Sequence, residues 1–188
     1  AGNKGHGVQY IIAGIYQYGL GLGIAQDYKE AVKWYRIFLE KGGDVDSDLE
    51  VTLTSDVWGI TVMTLHRDML LPDAQYNLGY FYEVGRGGVK QDYKKAIKWY
   101  RLATEQEHYE AMRELGWMYM KGRGVTQNLD VGMMYLKIAG HYMTGVDIRS
   151  GWEEREYPTR EDFSFPDTSD EVEKLITECY KKNYKDCG

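Results

Sequence analysis

Residues 26–36 read QDYKEAVKWYR, and residues 91–101 read QDYKKAIKWYR. Nine of the eleven positions are identical, at a separation of 65. One compact core has no use for the same helix written twice. A stack of like units does, because each unit must show its neighbour the same packing face. The chain of 188 residues therefore reads as about five small units rather than one large domain. Its 22 Gly and 3 Pro suit helices punctuated by turns. Its 17 Tyr suit helix interfaces, where the ring packs and the hydroxyl stays wet.

The units phase on the residue that caps the repeated helix. Asp27, Asp92 and Asn128 are good N-cap side chains. Each precedes a helical apolar pattern: Ala31-Trp34-Tyr35, Ala96-Trp99-Tyr100 and Met134-Tyr135. The motif places Trp34 and Trp99 in the core. From Asp92 to Asn128 the period is 36 residues. Ahead of each cap lies a first helix, and residues 74–89 align with residues 111–125. Ala74, Leu78 and Tyr82, like Ala111, Leu115 and Tyr119, fall on one helix face. Gly79 and Gly116 sit beside that face, where a missing Cβ lets another helix approach closely. The Gly-Arg-Gly segments can end the first helix in a left-handed turn.

These residues resemble the Sel1-like repeat, a relative of the tetratricopeptide repeat. The pattern A-x3-LG-x2-Y-x2-G-x-G-V, then D-x3-A-x2-W-Y-x3-A, stands nearly whole in 74–103. It is close in 111–139 and half present in 8–38. The resemblance implies an all-α, right-handed superhelical solenoid of antiparallel helix pairs.

The same spacing, laid on the unmatched stretches, predicts a degenerate second helix over 55–66 capped by Ser55, with a short partner near 46–53. It divides the chain into units 8–42, 43–72, 73–108, 109–144 and 145–188. The 65-residue gap then holds two repeats. Residues 141–167, with Pro158 and Pro166, read as a distorted first helix plus an inserted loop. Thr168 and Glu171 form a capping-box candidate for a last helix.

Cys179 and Cys187 take the positions held elsewhere by Ala103 and Ala111. Those positions face each other across a tight turn, and a Cβ–Cβ separation of about 4 Å is what a disulfide needs. The C-x7-C spacing resembles the cysteine-rich branch of the Sel1-like family, secreted bacterial proteins in which such bonds close the helix pairs. Two readings stay open: a disulfide clamping the C-terminus in a periplasmic or secreted protein, or two reduced residues standing in for alanine in the cytoplasm.

Catalytic chemistry has no foothold in the pattern. His6, His66, His108 and His141 form no metal-binding or nucleophile-activating arrangement. The glycine-rich segments 19–23 and 85–88 lack the following Lys-Ser/Thr of a phosphate loop and are accounted for by the repeat. The expectation is no enzyme, no cofactor and no metal. No apolar run approaches the ~20 residues that span a bilayer. The net charge is −6, with Glu40, Asp44, Asp46, Asp48, Glu50 and Asp56 set against Lys41 alone. Basic side chains do not cluster, which disfavours nucleic acid and favours a basic protein surface as partner.

A binding scaffold for another protein is thus the main expectation. By analogy with tetratricopeptide repeats, the concave face would present Tyr76, Tyr80, Glu83 and Val84, then Arg113, Trp117, Met120 and Lys121. These include residue types enriched at interface hot spots. The resemblance implies a bacterial adaptor or an envelope regulator, and acidity with small size also fits a toxin-immunity protein. Its alternatives are a β-lactam-binding or hydrolysing enzyme of the cysteine-rich branch, though no Ser-x-x-Lys stands in the chain, and a self-assembling homo-oligomer.

Overall fold

The computed structural model describes residues 6–19, 23–42, 49–55, 59–65, 67–142 and 170–187. The elements run α1 (His6–Tyr18), α2 (Tyr28–Glu40), β1 (Leu49–Ser55), β2 (Gly59–Leu65), α3 (Arg67–Val84), α4 (Tyr93–Thr104), α5 (Tyr109–Lys121), α6 (Leu129–Tyr142) and α7 (Asp170–Lys181). Helices pair as α1/α2, α3/α4 and α5/α6, and each pair stacks on the next through α2/α3 and α4/α5, with α7 laid on α6. This is the expected all-α solenoid, with one β-hairpin set into it.

The sequence repeat becomes a structural repeat through recurring hydrogen bonds. Asp27 accepts from the amides of Lys29 and Glu30, Asp92 from Lys95, and Asn128 from Val131. Each cap residue also donates its own N–H to a tyrosine carbonyl of the first helix: Asp27 to Tyr16, Asp92 to Tyr82, Asn128 to Tyr119. The glutamine just before each cap ties the same two elements together. Gln26, Gln91 and Gln127 donate to the carbonyls of Gln17, Glu83 and Met120, each at 2.8 Å. These otherwise orphaned helix-end carbonyls are thereby satisfied.

Gly79 and Gly116 sit at the closest approach within a pair. A Cβ on Gly79 would lie 2.7 Å from the Tyr100 ring, and one on Gly116 would lie 2.7 Å from Leu136. Tyr35, Tyr100 and Tyr135 are the large buried residues at the centres of the three pairs. Trp34 and Trp99, expected in the core, are only half-buried and pack at its edge.

The helix expected over 55–66 is not there. Residues 49–55 and 59–65 form an antiparallel hairpin, with Leu49 opposite Leu65, Val51 opposite Met63 and Ser55, the expected N-cap, opposite Gly59. The physical reason is the two-residue alternation of Leu49, Val51 and Leu53 with Glu50, Thr52 and Thr54. It is followed by the β-branched run Ile60-Thr61-Val62. Both favour strand over helix. Among the described residues of 43–72, the hairpin stands where the second helix of a repeat is expected. Because α2 packs directly on α3, the 65-residue gap is one repeat plus an insertion. The expected features at His66, over 143–167 and at Thr168 lie outside the described residues.

Helix α3 is longer than α5 because five residues, 67–71, extend it ahead of the repeat. Pro72 falls where the repeat's own first helix begins, at the position of Tyr109. In α3 it lies inside the helix, where it removes one i→i−4 backbone bond.

Candidate interaction surface

The first helix of each pair ends on a left-handed glycine: Gly19 (φ 64°), Gly85 (φ 71°) and Gly122 (φ 64°). Each glycine N–H bonds the carbonyl four residues earlier, at Ile15, Phe81 and Met118. Aligned on these turns, α1, α3 and α5 bring equivalent positions into rows. One row is Tyr10, Tyr76 and Arg113. The next is Gly14, Tyr80 and Trp117, and the third is Tyr18, Val84 and Lys121.

The outer two rows form the accessible surface. Tyr18 is 60% exposed. Above Gly14 an added Cβ would meet no atom within 4 Å. Tyr80, Val84 and Trp117 are half-buried, and Lys121 is exposed with its Nζ 5.4 Å from the Trp117 ring centroid. An aromatic and aliphatic strip bearing one cation therefore crosses all three first helices.

Two residues expected on this surface are not on it. Tyr76 and Glu83 are each only 7% exposed. The Tyr76 ring stacks on His108 at 4.7 Å, and Glu83 Oε2 accepts from the Tyr100 hydroxyl at 2.7 Å. Position 83 turns toward its partner helix, as Gln17 does in the first pair, where Gln17 Oε1 accepts from Tyr35 at 2.8 Å. Met120, at the same position, lies where a Cβ on Gly132 would go. Arg113 is half-buried and donates to Glu114, itself 1% exposed.

Sequence reasoning missed a polar network beside the first row. Asp73 accepts from the Tyr10 hydroxyl at 3.1 Å and lies 2.8 Å from His108 Nε2. His108 Nδ1 accepts the Ala111 amide and so caps α5, which leaves the proton on Nε2 for Asp73. Asn77 donates to the Asp73 carbonyl and accepts from Gln17. One carboxylate thus ties α1, α3 and the start of α5 together. Both His108 nitrogens make bonds that hold the helices together, so the pair acts as a clamp. No local motif announces it, because its members are spread over all three units. Among the described residues no three His, Cys, Asp or Glu gather as a metal site, and no helix is long and apolar enough to cross a membrane.

Burial raises the hydroxyl pKa of Tyr10, Tyr18 and Tyr35 above the ordinary tyrosine value, with the nearby Asp73 charge adding to it. All three stay neutral at physiological pH, as the bonds donated by Tyr10 and Tyr35 require.

At the C-terminus Cys179 and Cys187 form a disulfide with a Cα–Cα distance of 5.1 Å. The turn they span copies the one between α4 and α5. Ala103 O accepts from Gln106 and His108, and Cys179 O accepts from Lys182 and Tyr184. Glu107 and Asn183 hold the matching left-handed position.

The Sel1 repeat family pattern matches residues 8–43, 72–108 and 110–141. The chain belongs to the Sel1 repeat family. The three matched stretches coincide with the three helix pairs and leave the hairpin out. A putative Sel1-like repeat-containing protein, R815 of Acanthamoeba polyphaga mimivirus, is 46% identical over 54 residues, which is 29% of this chain and 10% of that protein. A Sel1 repeat protein from Oxalobacter formigenes aligns over 75% of this chain and 45% of its own, with a TM-score of 0.54 and 26% identity. The c5321 protective antigen of uropathogenic Escherichia coli aligns over 73% of this chain and 23% of its own, with a TM-score of 0.53 and 29% identity. The chain thus spans less than half the length of each of these relatives. Sel1 repeat proteins generally serve as protein-interaction scaffolds and are generally non-catalytic.

Proposed function

We propose that this Sel1 repeat chain is a non-catalytic scaffold that holds a segment of a partner protein across α1, α3 and α5. The observation that carries the reading is the strip Tyr18, Tyr80, Val84, Trp117 and Lys121. These positions recur in every unit, yet the helix pairs do not bury them. Rigid aromatic rings lose little rotamer freedom on binding, which is why such residues supply most of an interface's affinity. Tyr76, Glu83 and Met120 contribute by fixing the helices that carry the strip.

The acidity of the chain favours a partner with a basic surface. The disulfide supports an oxidising compartment, periplasmic or extracellular. A bacterial envelope regulator or a toxin-immunity protein fits both. A displayed peptide library selected on the wild-type chain tests the reading. Binders should lose about 10- to 100-fold in affinity against the Tyr80→Ala, Trp117→Ala double variant at unchanged melting temperature. Binders indifferent to that variant would place the interaction elsewhere.

A further inference from the structure

Each junction between units buries the same stripe of the incoming first helix. In α3 it is Ala74, Leu78 and Phe81; in α5 it is Ala111, Leu115 and Met118. All six are at most 1% exposed. A tyrosine completes the stripe and receives an arginine from the preceding second helix. Arg36 Nη2 donates to the Tyr82 hydroxyl at 2.7 Å, and Arg101 Nη2 to the Tyr119 hydroxyl at 2.5 Å.

Among the described residues, helix α1 carries the same stripe with no helix upon it. The equivalents are Val8, Ile12, Ile15 and Tyr16, aligned by Gly19 and by the bond from Asp27 to the Tyr16 carbonyl. Val8 is 49% exposed, and Ile12 and Ile15 are half-buried. α1 contains no Asp, Glu, Lys or Arg. A solenoid that stops at a helix gives that helix a polar outer face, and α1 does not have one.

Helix α7, the last described element, is polar at the matching positions. By the turn shared with α4, Glu173 of α7 stands at the Ile97 position and Thr177 at the Arg101 position, and both are exposed. Glu173 is bonded to Lys137 at 2.7 Å. A second copy stacking its α7 on α1 would set a carboxylate against the Val8–Ile12 stripe and bring no arginine to Tyr16. Two α1 helices face to face would also lack that arginine.

We infer that the outward face of α1 is an unfilled repeat–repeat junction, shaped for the second helix of a further Sel1-type unit stacked ahead of it. That helix needs an aliphatic residue at the Val32/Ile97 position and an arginine within reach of the Tyr16 hydroxyl. It also needs a small residue opposite Val8, which is bulkier than the alanines at this place in the other junctions.

The test replaces residues 1–5 with a copy of residues 72–108 joined directly to His6. This sets Ala103 of the copy eight residues before Val8, as Ala103 stands before Ala111. Filling the junction should raise the melting temperature and slow amide exchange in α1 by about tenfold or more. Val8→Asp with Ile12→Asp should abolish both gains in the extended chain, while leaving the unextended chain folded. Val8→Ala, which restores the alanine of the other junctions, should preserve or enlarge them. An extended chain whose α1 amides exchange as fast as before, in both the Val8 and Val8→Ala forms, would overturn the inference. So would concentration-dependent growth of the unextended chain in light scattering that Val8→Asp removes, since the occupant would then be a second copy.

Discussion

The α2/α3 junction and the α4/α5 junction have nearly the same contacts and very different connections. The second is closed by four residues, 105–108, and the first by 26, 41–66, which include the hairpin. Yet Arg36 reaches Tyr82 as Arg101 reaches Tyr119. Arg86 lies over Tyr28 at 5.7 Å as Arg123 lies over Tyr93 at 5.8 Å. What differs is the tight turn itself. Ala103 and Ala111 meet there and His108 caps α5, whereas Phe38 takes the Ala103 position in the first junction. The faces of the helices specify how units stack, and the connection only has to permit it. Loop-closure entropy explains the tolerance: lengthening a connection from four to 26 residues costs only about 1.5–2 kcal/mol.

The hardest test of that equivalence is the glycine each junction shares. A Cβ on Gly87 would lie 2.5 Å from the Tyr28 carbonyl oxygen, and one on Gly124 would lie 2.7 Å from Tyr93 Cβ. Both residues sit at left-handed φ, 69° and 74°. Gly87→Val and Gly124→Val should each cost about 3–5 kcal/mol in chemical denaturation. A Gly87 effect well below the Gly124 effect would mean that the long connection does loosen the first junction.

How much of this was legible in the sequence follows from how local each signal is. The caps, the paired glycines and the Cys179–Cys187 position each depend on a fixed short spacing, and the repeat spacing found them. The hairpin had a local signal too, in the alternation over 49–55. It was overridden by carrying a helical period across a stretch where no repeat motif stands. Tyr76 and Glu83 face inward through contacts outside their own helix, Tyr76 with His108 at the start of α5 and Glu83 with Tyr100 of its partner helix. The clamp at Asp73 joins residues of several units, and no window of sequence holds it; the stripe on α1 lies within residues 8–16, but its exposure depends on what the other helices cover.

The C-terminal turn extends the comparison to a third case, in which a disulfide replaces the Ala103–Ala111 contact. Reducing it should destabilise α7 by about 2–3 kcal/mol, from the entropy of an eight-residue loop. Exchange of the α7 amides with and without reductant measures this, and α4 should be unaffected. Free-thiol titration of denatured, non-reduced protein should find no thiol.

Removing the insertion is the next step down. Replacing residues 43–66 by a four-residue connection should leave the Arg36–Tyr82 contact in place and raise stability by about 1–2 kcal/mol at most. A large loss would show that the hairpin supports the α2/α3 junction rather than interrupting the connection to it.

High pH probes the first and third pairs from inside. Burial holds the Tyr35 hydroxyl well above its ordinary value of 10.0, and that of Tyr135 likewise. The raised pKa belongs to the folded state, so its contribution is fully present below pH 10 and is lost as pH rises through the folded value. Each such tyrosine should remove about 1.4 kcal/mol per pH unit above 10. Tyr35→Phe should remove its share of that slope at the first pair, where Tyr10 and Tyr18 keep theirs, while Tyr135 maintains it at the third. A stability curve level from pH 9 to 12 would contradict the burial of both.

The smallest expected effect makes the sharpest comparison. Arg36→Ala and Arg101→Ala each remove one hydrogen bond to a tyrosine hydroxyl at a unit boundary. The guanidinium is half-solvated in one case and exposed in the other, so the loss should be about 0.5–1.5 kcal/mol. If the junctions are equivalent, the two losses agree within about 0.5 kcal/mol and add in the double variant, since the sites share no partner. Non-additivity would be the more informative failure. Arg36 and Arg101 meet different faces of the α3/α4 pair, one through Tyr82 and the other from α4 itself. A coupling between them would mean that this pair transmits strain from one junction to the other, and that the stack behaves as more than a sum of neighbouring contacts.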